Sequence, residues 1–304
     1  MNSSRDLSWP LSVCVATGRI AVGLLRLFKW RVVTLLLLAA VTGAFLGAGG
    51  WPGTEAVTVL LLTGGLASAG ASVVNEYLEF DMDRVMQRTQ RRPLVTGAIA
   101  RSRWVLALGV ALIVLPVLAV LPRNPALALW IVLGAIVYVG VYTVWLKSRT
   151  PLNVVVGGLA GSCAVLGGGA AVYAWSDPAV IGLALLLFLW SPTHFWSLAL
   201  ACREDYERAH VPMLPVVTTA RRAAQWNSLH AAGSVLVGLL LSVQPALGVY
   251  YLTPVVIASL YLLVRGWRLV NRPTAQRAWH MFHAANLYLG VVLLAICLTT
   301  YFRA

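Results

Sequence analysis

The stretch from Ala56 to Asp83, AVTVLLLTGGLASAGASVVNEYLEFDMD, decides the fold. Up to Leu78 it carries one charged side chain, Glu76, and a helix rising 1.5 Å per residue over that length crosses the roughly 30 Å of a bilayer's hydrocarbon. It then runs directly into acidic residues, which belong where such a helix meets water. The whole chain agrees: its 304 residues are 60% hydrophobic and 11% charged, with mean hydropathy +0.81. Soluble domains carry about 25% charged residues, so a water-soluble fold is excluded.

Working outward, eight further apolar stretches cover residues 31–50, 103–122, 126–146, 152–174, 179–201, 223–243, 248–267 and 280–301. With 56–78 they make nine spans. Their runs are continuous rather than alternating, which predicts an all-α integral membrane bundle and not a barrel. The chain reads as a single domain, 1–304. Residues 1–28 form a cytoplasmic lead-in, amphipathic over 7–28, because Arg19, Arg26, Lys29 and Arg31 interrupt what a cleaved signal would need. Cys14, Cys163, Cys202 and Cys297 form no CxxC pair and read as apolar filler.

The net charge is +13, from 23 Lys and Arg against 10 Asp and Glu. In a soluble chain that surplus suggests nucleic acid. Here nine spans put 21 of the 23 on one side and leave Arg123 and Arg303 opposite. The positive-inside rule then predicts a cytoplasmic N-terminus and an external C-terminus, with no nucleic-acid partner.

Eight of the ten acids fall on that same side, and seven of those lie in two clusters, Glu76 to Asp83 and Glu204 to Glu207. Carboxylates are expensive to desolvate at a membrane helix end. In the first cluster Asn75, Glu79 and Asp83 are spaced i, i+4, i+8, so a continuing helix stacks an amide oxygen and two carboxylates on one face. Hard oxygens in that array suit Mg2+, shared with substrate phosphates. Asp81 points elsewhere. Downstream, Arg88, Arg91 and Arg92 precede Pro93, and guanidinium groups bind phosphate oxygens in pairs. A metal-diphosphate site is one reading. A solvated acidic helix end paired with topology-setting arginines is the other. The second cluster closes the sixth span in the same way, which predicts that spans two and six face each other as a weak internal repeat.

The run Asn75-x3-Glu79-x3-Asp83-x2-Met86-x-Arg88-Thr89-x2-Arg92-Pro93-x3-Gly97 resembles the first signature of the UbiA superfamily of intramembrane prenyltransferases. Tyr142 to Asn153, with Lys147, Arg149, Thr150 and Pro151, is similar to its heme-farnesylating branch, the protoheme IX farnesyltransferases. So are His194-Phe195-Trp196, Asp205-Tyr206, Pro212-Met213-Leu214-Pro215-Val216 and Phe282-His283-x2-Asn286-x-Tyr288. The resemblance implies nine helices around a central cavity and Mg2+-dependent transfer of farnesyl from farnesyl diphosphate to a vinyl group of heme B, giving heme O. It implies a bacterial-type inner or plasma membrane, and heme A synthase or oxidase-assembly proteins as partners. By position, Asn75, Glu79, Asp83 and Asp205 would hold metal and diphosphate, and Arg88, Arg92 and Lys147 would contact the anion. Tyr142, Asn153, His194 and His283 would be substrate contacts. Many superfamily members carry a further acid four residues before Asp205. Here Ala201 stands there, as is common in the heme-type branch, and this puts a full second metal site in doubt.

His194, among Trp190, Phe195 and Trp196, reads either as a heme contact or as a buried histidine satisfied by a neighbouring helix. His283 and His280 read either as porphyrin contacts or as interfacial residues. Two other functions fit parts of the pattern. A UbiA-type enzyme acting on an aromatic or quinone precursor would share the first motif but not His194-Phe195-Trp196 or Pro212 to Val216. A cation-coupled transporter would want its acids at mid-membrane.

Overall fold

A computed structural model describes residues 23–303, so most of the expected amphipathic lead-in lies outside the described residues. Nine helices among them are long and apolar enough to span a bilayer. They are α1 (Trp30–Ala48), α2 (Thr54–Leu78), α4 (Arg103–Val120), α5 (Pro125–Leu146), α6 (Asn153–Ala171), α7 (Pro178–Ala201), α10 (Ala220–Val243), α11 (Gly248–Asn271) and α12 (Ala275–Arg303). Three short helices, α3 (Phe80–Val85), α8 (Arg203–Arg208) and α9 (Leu214–Val217), follow α2 and α7. They sit where the two acidic clusters leave the membrane.

Each spanning helix packs on the next and α12 packs on α1, so the nine close into a ring; α1 also crosses to α6, and α7 to α12. The main core joins α7, α10, α11 and α12 through Leu183, Leu186, Ala224, Tyr251, Leu262, Tyr288 and Leu293, all without measurable exposure. In lipid this packing rests on close fit and interhelical hydrogen bonds rather than on escape from water. Both kinds are present: Tyr288 Oη donates to the Ser234 carbonyl at 2.9 Å, Tyr251 Oη to Gly238 at 2.7 Å, and Trp190 Nε1 to Ala285 at 2.7 Å.

Small residues set the closest crossings. A Cβ added at Gly168 of α6 would overlap the carbonyl of Ala40 on α1, and one at Gly43 of α1 the carbonyl of Val165 on α6. The obstacle is backbone at both points, so no side chain can move aside. Gly168→Val is expected to cost about 3 kcal/mol or more by forced separation of α1 and α6. Thermal unfolding in detergent checks this, with Gly140→Ala, whose added carbon meets nothing within 4 Å, as the mild control.

Three features depart from the sequence expectation. The second half of α5, Ile136–Leu146, is wound as a π-helix, with Lys147 N donating to the Tyr142 carbonyl at 2.9 Å. Its valines, tyrosines and Gly140 are weak α-formers, which makes the exchange of winding cheap. Second, α2 does not continue smoothly through the first acidic cluster: Glu79 adopts φ −88°, ψ 7°, and α3 starts after it. Third, α11 and α12 run past their apolar stretches to Asn271 and back to Ala275. Arg265, Arg268 and Arg277 therefore lie on helix ends, their long stems covering apolar surface while their charges reach water.

Candidate functional site

The break at Glu79 keeps the helical register. Glu79 N donates to the Asn75 carbonyl at 2.9 Å and Asp83 N to the Glu79 carbonyl at 2.8 Å, so Asn75, Glu79 and Asp83 still share one face. All three are buried, whereas Asp81 is exposed. Glu76, on the inner side of α2, has no exposed surface. Its Oε1 accepts Leu94 N at 3.2 Å and thereby moors the arginine loop to the bundle, and its Oε2 has no partner among the described residues.

Protein cations surround the two carboxylates. Lys147 donates to Glu79 Oε1; Arg92 Nη1 stands 3.5 Å from Glu79 Oε2 and donates to Asp83 Oδ2. Lys29, held at φ 50° just before α1, donates to Asn75 Oδ1 and to Tyr138 Oη at 3.3 Å, and Asn75 Nδ2 donates to Thr143 at 3.0 Å. Burial alone would raise the Glu79 carboxyl, but Lys147, Lys29 and Arg92 hold it down to about 2. Burial, with repulsion from Arg92 and Lys147, brings Lys29 down to about 7. The ion pairing of the second sequence reading is thus present. One cationic nitrogen, Arg92 Nη1, contacts both carboxylates. Glu79, Asp83 and the Asn75 amide are oxygen donors of the type that suits Mg2+.

The second cluster meets the first. Both oxygens of Asp205 accept backbone N–H groups of the arginine loop, from Gln87 at 3.3 Å and Arg88 at 3.2 Å, and Arg208 donates to Oδ1. Burial would raise Asp205; these donors bring it below the usual carboxylate range. Asp205 does not gather with Glu79 and Asp83, since among the described residues no three His, Cys, Asp or Glu side chains meet around one point. The repeat is visible as form: α2 and α7 each end in one non-helical residue, Glu79 and Cys202, followed by a six-residue helix.

The remaining expected residues divide. Arg88 is exposed, forms no ion pair among the described residues, and reaches Tyr206 Oη at 3.4 Å. Tyr142 stacks on Tyr138, centroids 6.0 Å apart and 9° from parallel, with Lys147 over its ring at 5.7 Å. His194 lies between Trp190 and Phe282, 4.7 and 4.5 Å from their ring centres. Tyr138, Tyr142 and His194 are each half-buried. Asn153 is fully buried and donates to the Lys147 carbonyl at 3.3 Å, holding the lysine's backbone rather than presenting itself to a substrate. His283 is exposed on the far side of Phe282, beside Trp279, and is not brought to His194. Sequence reading missed Lys29 and Tyr138: neither belongs to a motif, and only the ring closure sets them against Asn75.

Comparison with known proteins follows the same lines. A model of the UbiA prenyltransferase family matches residues 36–297. The chain is 40% identical to the protoheme IX farnesyltransferase of Metallosphaera sedula, over 90% of this chain and 94% of that one. It is 39% identical to protoheme IX farnesyltransferase 2 of Paramagnetospirillum magneticum, over 90% and 95%. Among solved structures, a digeranylgeranylglyceryl phosphate synthase superposes with TM-score 0.77 at 17% identity, covering 93% of this chain and 99% of that one. A UbiA homolog from Archaeoglobus fulgidus, bound to DMAPP and Mg2+, superposes with TM-score 0.63 at 17% identity over 90% and 98%. A closed ring of nine spanning helices among the described residues, its acidic and arginine motifs together at one end and the chain matched along most of its length, makes this protein a multi-pass integral membrane member of the UbiA prenyltransferase family.

Proposed function

We propose that this enzyme transfers the farnesyl group of farnesyl diphosphate to a vinyl group of protoheme IX, giving heme O. The observation that carries the reading is the shared contact of Glu79 and Asp83 with Arg92, beside Arg88, which is exposed and forms no ion pair among the described residues. The acceptor follows from the relatives that share about 40% identity over nine-tenths of the chain. Asn75, Glu79 and Asp83 would hold Mg2+, which when bound would supply positive charge to the departing diphosphate. Arg88, Arg92 and Lys147 bind the same anion, and Asp205 aims Arg88 by fixing its backbone. Tyr138, Tyr142, Trp190 and Phe282 wall the space where the allylic cation forms and keep water from it until the vinyl carbon attacks. The new carbon–carbon bond leaves the positive charge on the vinyl carbon next to the porphyrin, where water then adds and gives up a proton to complete the hydroxyethylfarnesyl side chain of heme O. His194 orients the porphyrin at the inner end of that space.

The basic loops set the orientation: N-terminus and diphosphate site cytoplasmic, C-terminus outside. Heme A synthase or oxidase-assembly proteins would receive the product. The test is to incubate purified protein with heme B, farnesyl diphosphate and Mg2+. Heme O is expected by mass, and none is expected once Mg2+ is chelated. No heme O, with turnover of an aromatic or quinone precursor instead, would transfer the reading to that branch of the family. Arg88→Ala is expected to raise KM for farnesyl diphosphate about a hundredfold with little loss of thermal stability, because Arg88 forms no ion pair that holds the fold. Steady-state kinetics at varied diphosphate checks this.

A further inference from the structure

A second polar site lies at the other side of the ring, where α11 ends and α12 begins. There a cleft of about 560 Å3 is lined by Arg265 and Arg268 from α11, by Arg272 just past its end, and by Gln276, Arg277 and His280 from α12. Arg265 and Arg268 are spaced i, i+3, which places them on one helix face, and the extended backbone of Arg272 continues from the end of that helix. None of the residues assigned to prenyl transfer lines it.

We infer that this cleft binds the phosphate head group of an anionic phospholipid in the leaflet that faces the basic loops. The charge has no internal answer: no Asp or Glu follows Glu207 in the sequence, and none of the four arginines forms an ion pair among the described residues. The carbonyls that end α11 would repel an anion, but Arg277 covers them, donating to Arg268 O at 2.8 Å. Arg265 lies over the Tyr261 ring at 4.8 Å, which keeps its guanidinium at the cleft rather than loose in water. Topology alone asks for basic residues in a loop. It does not ask for four guanidinium groups around one concavity.

The cleft opens to lipid, and this identifies the source of the phosphate. Leu260, Val264 and Trp267 run down α11 at i, i+4, i+7 and are all exposed, Trp267 to 67%. An exposed tryptophan at a span's end marks head-group depth, and the leucine and valine below it face acyl chains. A phosphate at the arginines therefore sits above a ready track for its own tails. Basic pockets between spanning helices on the cytoplasmic side take such head groups.

The test uses the full-length protein purified in mild detergent, with co-purifying lipids quantified by mass spectrometry. Arg268→Gln/Arg272→Gln is compared with Arg221→Gln/Arg222→Gln, which removes equal charge from an exposed turn of α10. The expected result is at least a fivefold loss of retained phosphatidylglycerol or cardiolipin in the first variant only. In the delipidated wild type, added phosphatidylglycerol should raise the melting temperature, and phosphatidylcholine or inorganic phosphate at equal concentration should not. Equal retention by both variants, or stabilisation by inorganic phosphate as large as that by phosphatidylglycerol, overturns the inference. If the first variant melts too early to purify, Arg272→Gln alone, beyond the end of α11, gives the same reading at smaller amplitude.

Discussion

Asp83→Asn is expected to slow prenyl transfer about a thousandfold while the protein remains folded in the membrane. Asn keeps the shape of Asp and one oxygen, but removes the negative charge that a divalent ion and its diphosphate need there. A thousandfold is roughly 4 kcal/mol of barrier, within what one electrostatic contact to a leaving group supplies in a site sheltered from water. Arg92, its partner, retains Glu79 at 3.5 Å, so the fold loses one bond and no charge is stranded. Initial rates at saturating Mg2+, alongside thermal melting, check both halves. Full activity in this variant, or in Glu79→Gln, would remove these carboxylates from the metal site.

Lys147→Met is expected to fail differently, in stability before catalysis. Lys147 and Glu79 are both buried and bonded to each other, so removing the cation leaves the carboxylate with only its longer contact to Arg92, at 3.5 Å. Breaking one side of a buried pair costs about 3–5 kcal/mol, and the Arg92 contact holds the loss to the lower end of that range. Methionine preserves the stem's packing, which isolates the charge. Adding Glu79→Gln should return most of the stability, since the under-paired charge is then gone, and should return no activity. Melting of the four members of the cycle gives the coupling. If Lys147→Met melts like the wild type and only raises KM, the lysine is purely an anion contact and the pair is incidental.

The spans were legible because lipid permits few solutions: a run of apolar residues long enough to cross must be a helix, and the placement of 21 basic residues on one side checks the count. The face shared by Asn75, Glu79 and Asp83 was legible for a similar reason. Its i, i+4, i+8 spacing survives the break at Glu79 because the backbone bonds that define it survive. What stayed hidden depends on how helices distant in sequence meet. Lys29 reads as one more topology residue until α1 is set against α2, and then it lies on Asn75. Asp205 looks like a ligand by its position in a motif, while its contacts are those of a clasp on the Arg88 loop. Asn153 and His283 belong to motifs whose recurrence gives no direction in space, and one supports a neighbour while the other faces outward.

The π-wound end of α5 stores slack. Each π turn closes i to i+5 rather than i to i+4, and so holds about one residue more than an α turn over the same rotation. Deleting that residue would let the turn relax to ordinary winding and leave Lys147 facing the way it does now. A single-residue gap within Ile136–Leu146 is therefore one the helix can absorb in phase. A lineage that lost a residue here could still present its lysine to Glu79, so the spacing between the start of α5 and that lysine is free to change by one while the lysine's direction is kept.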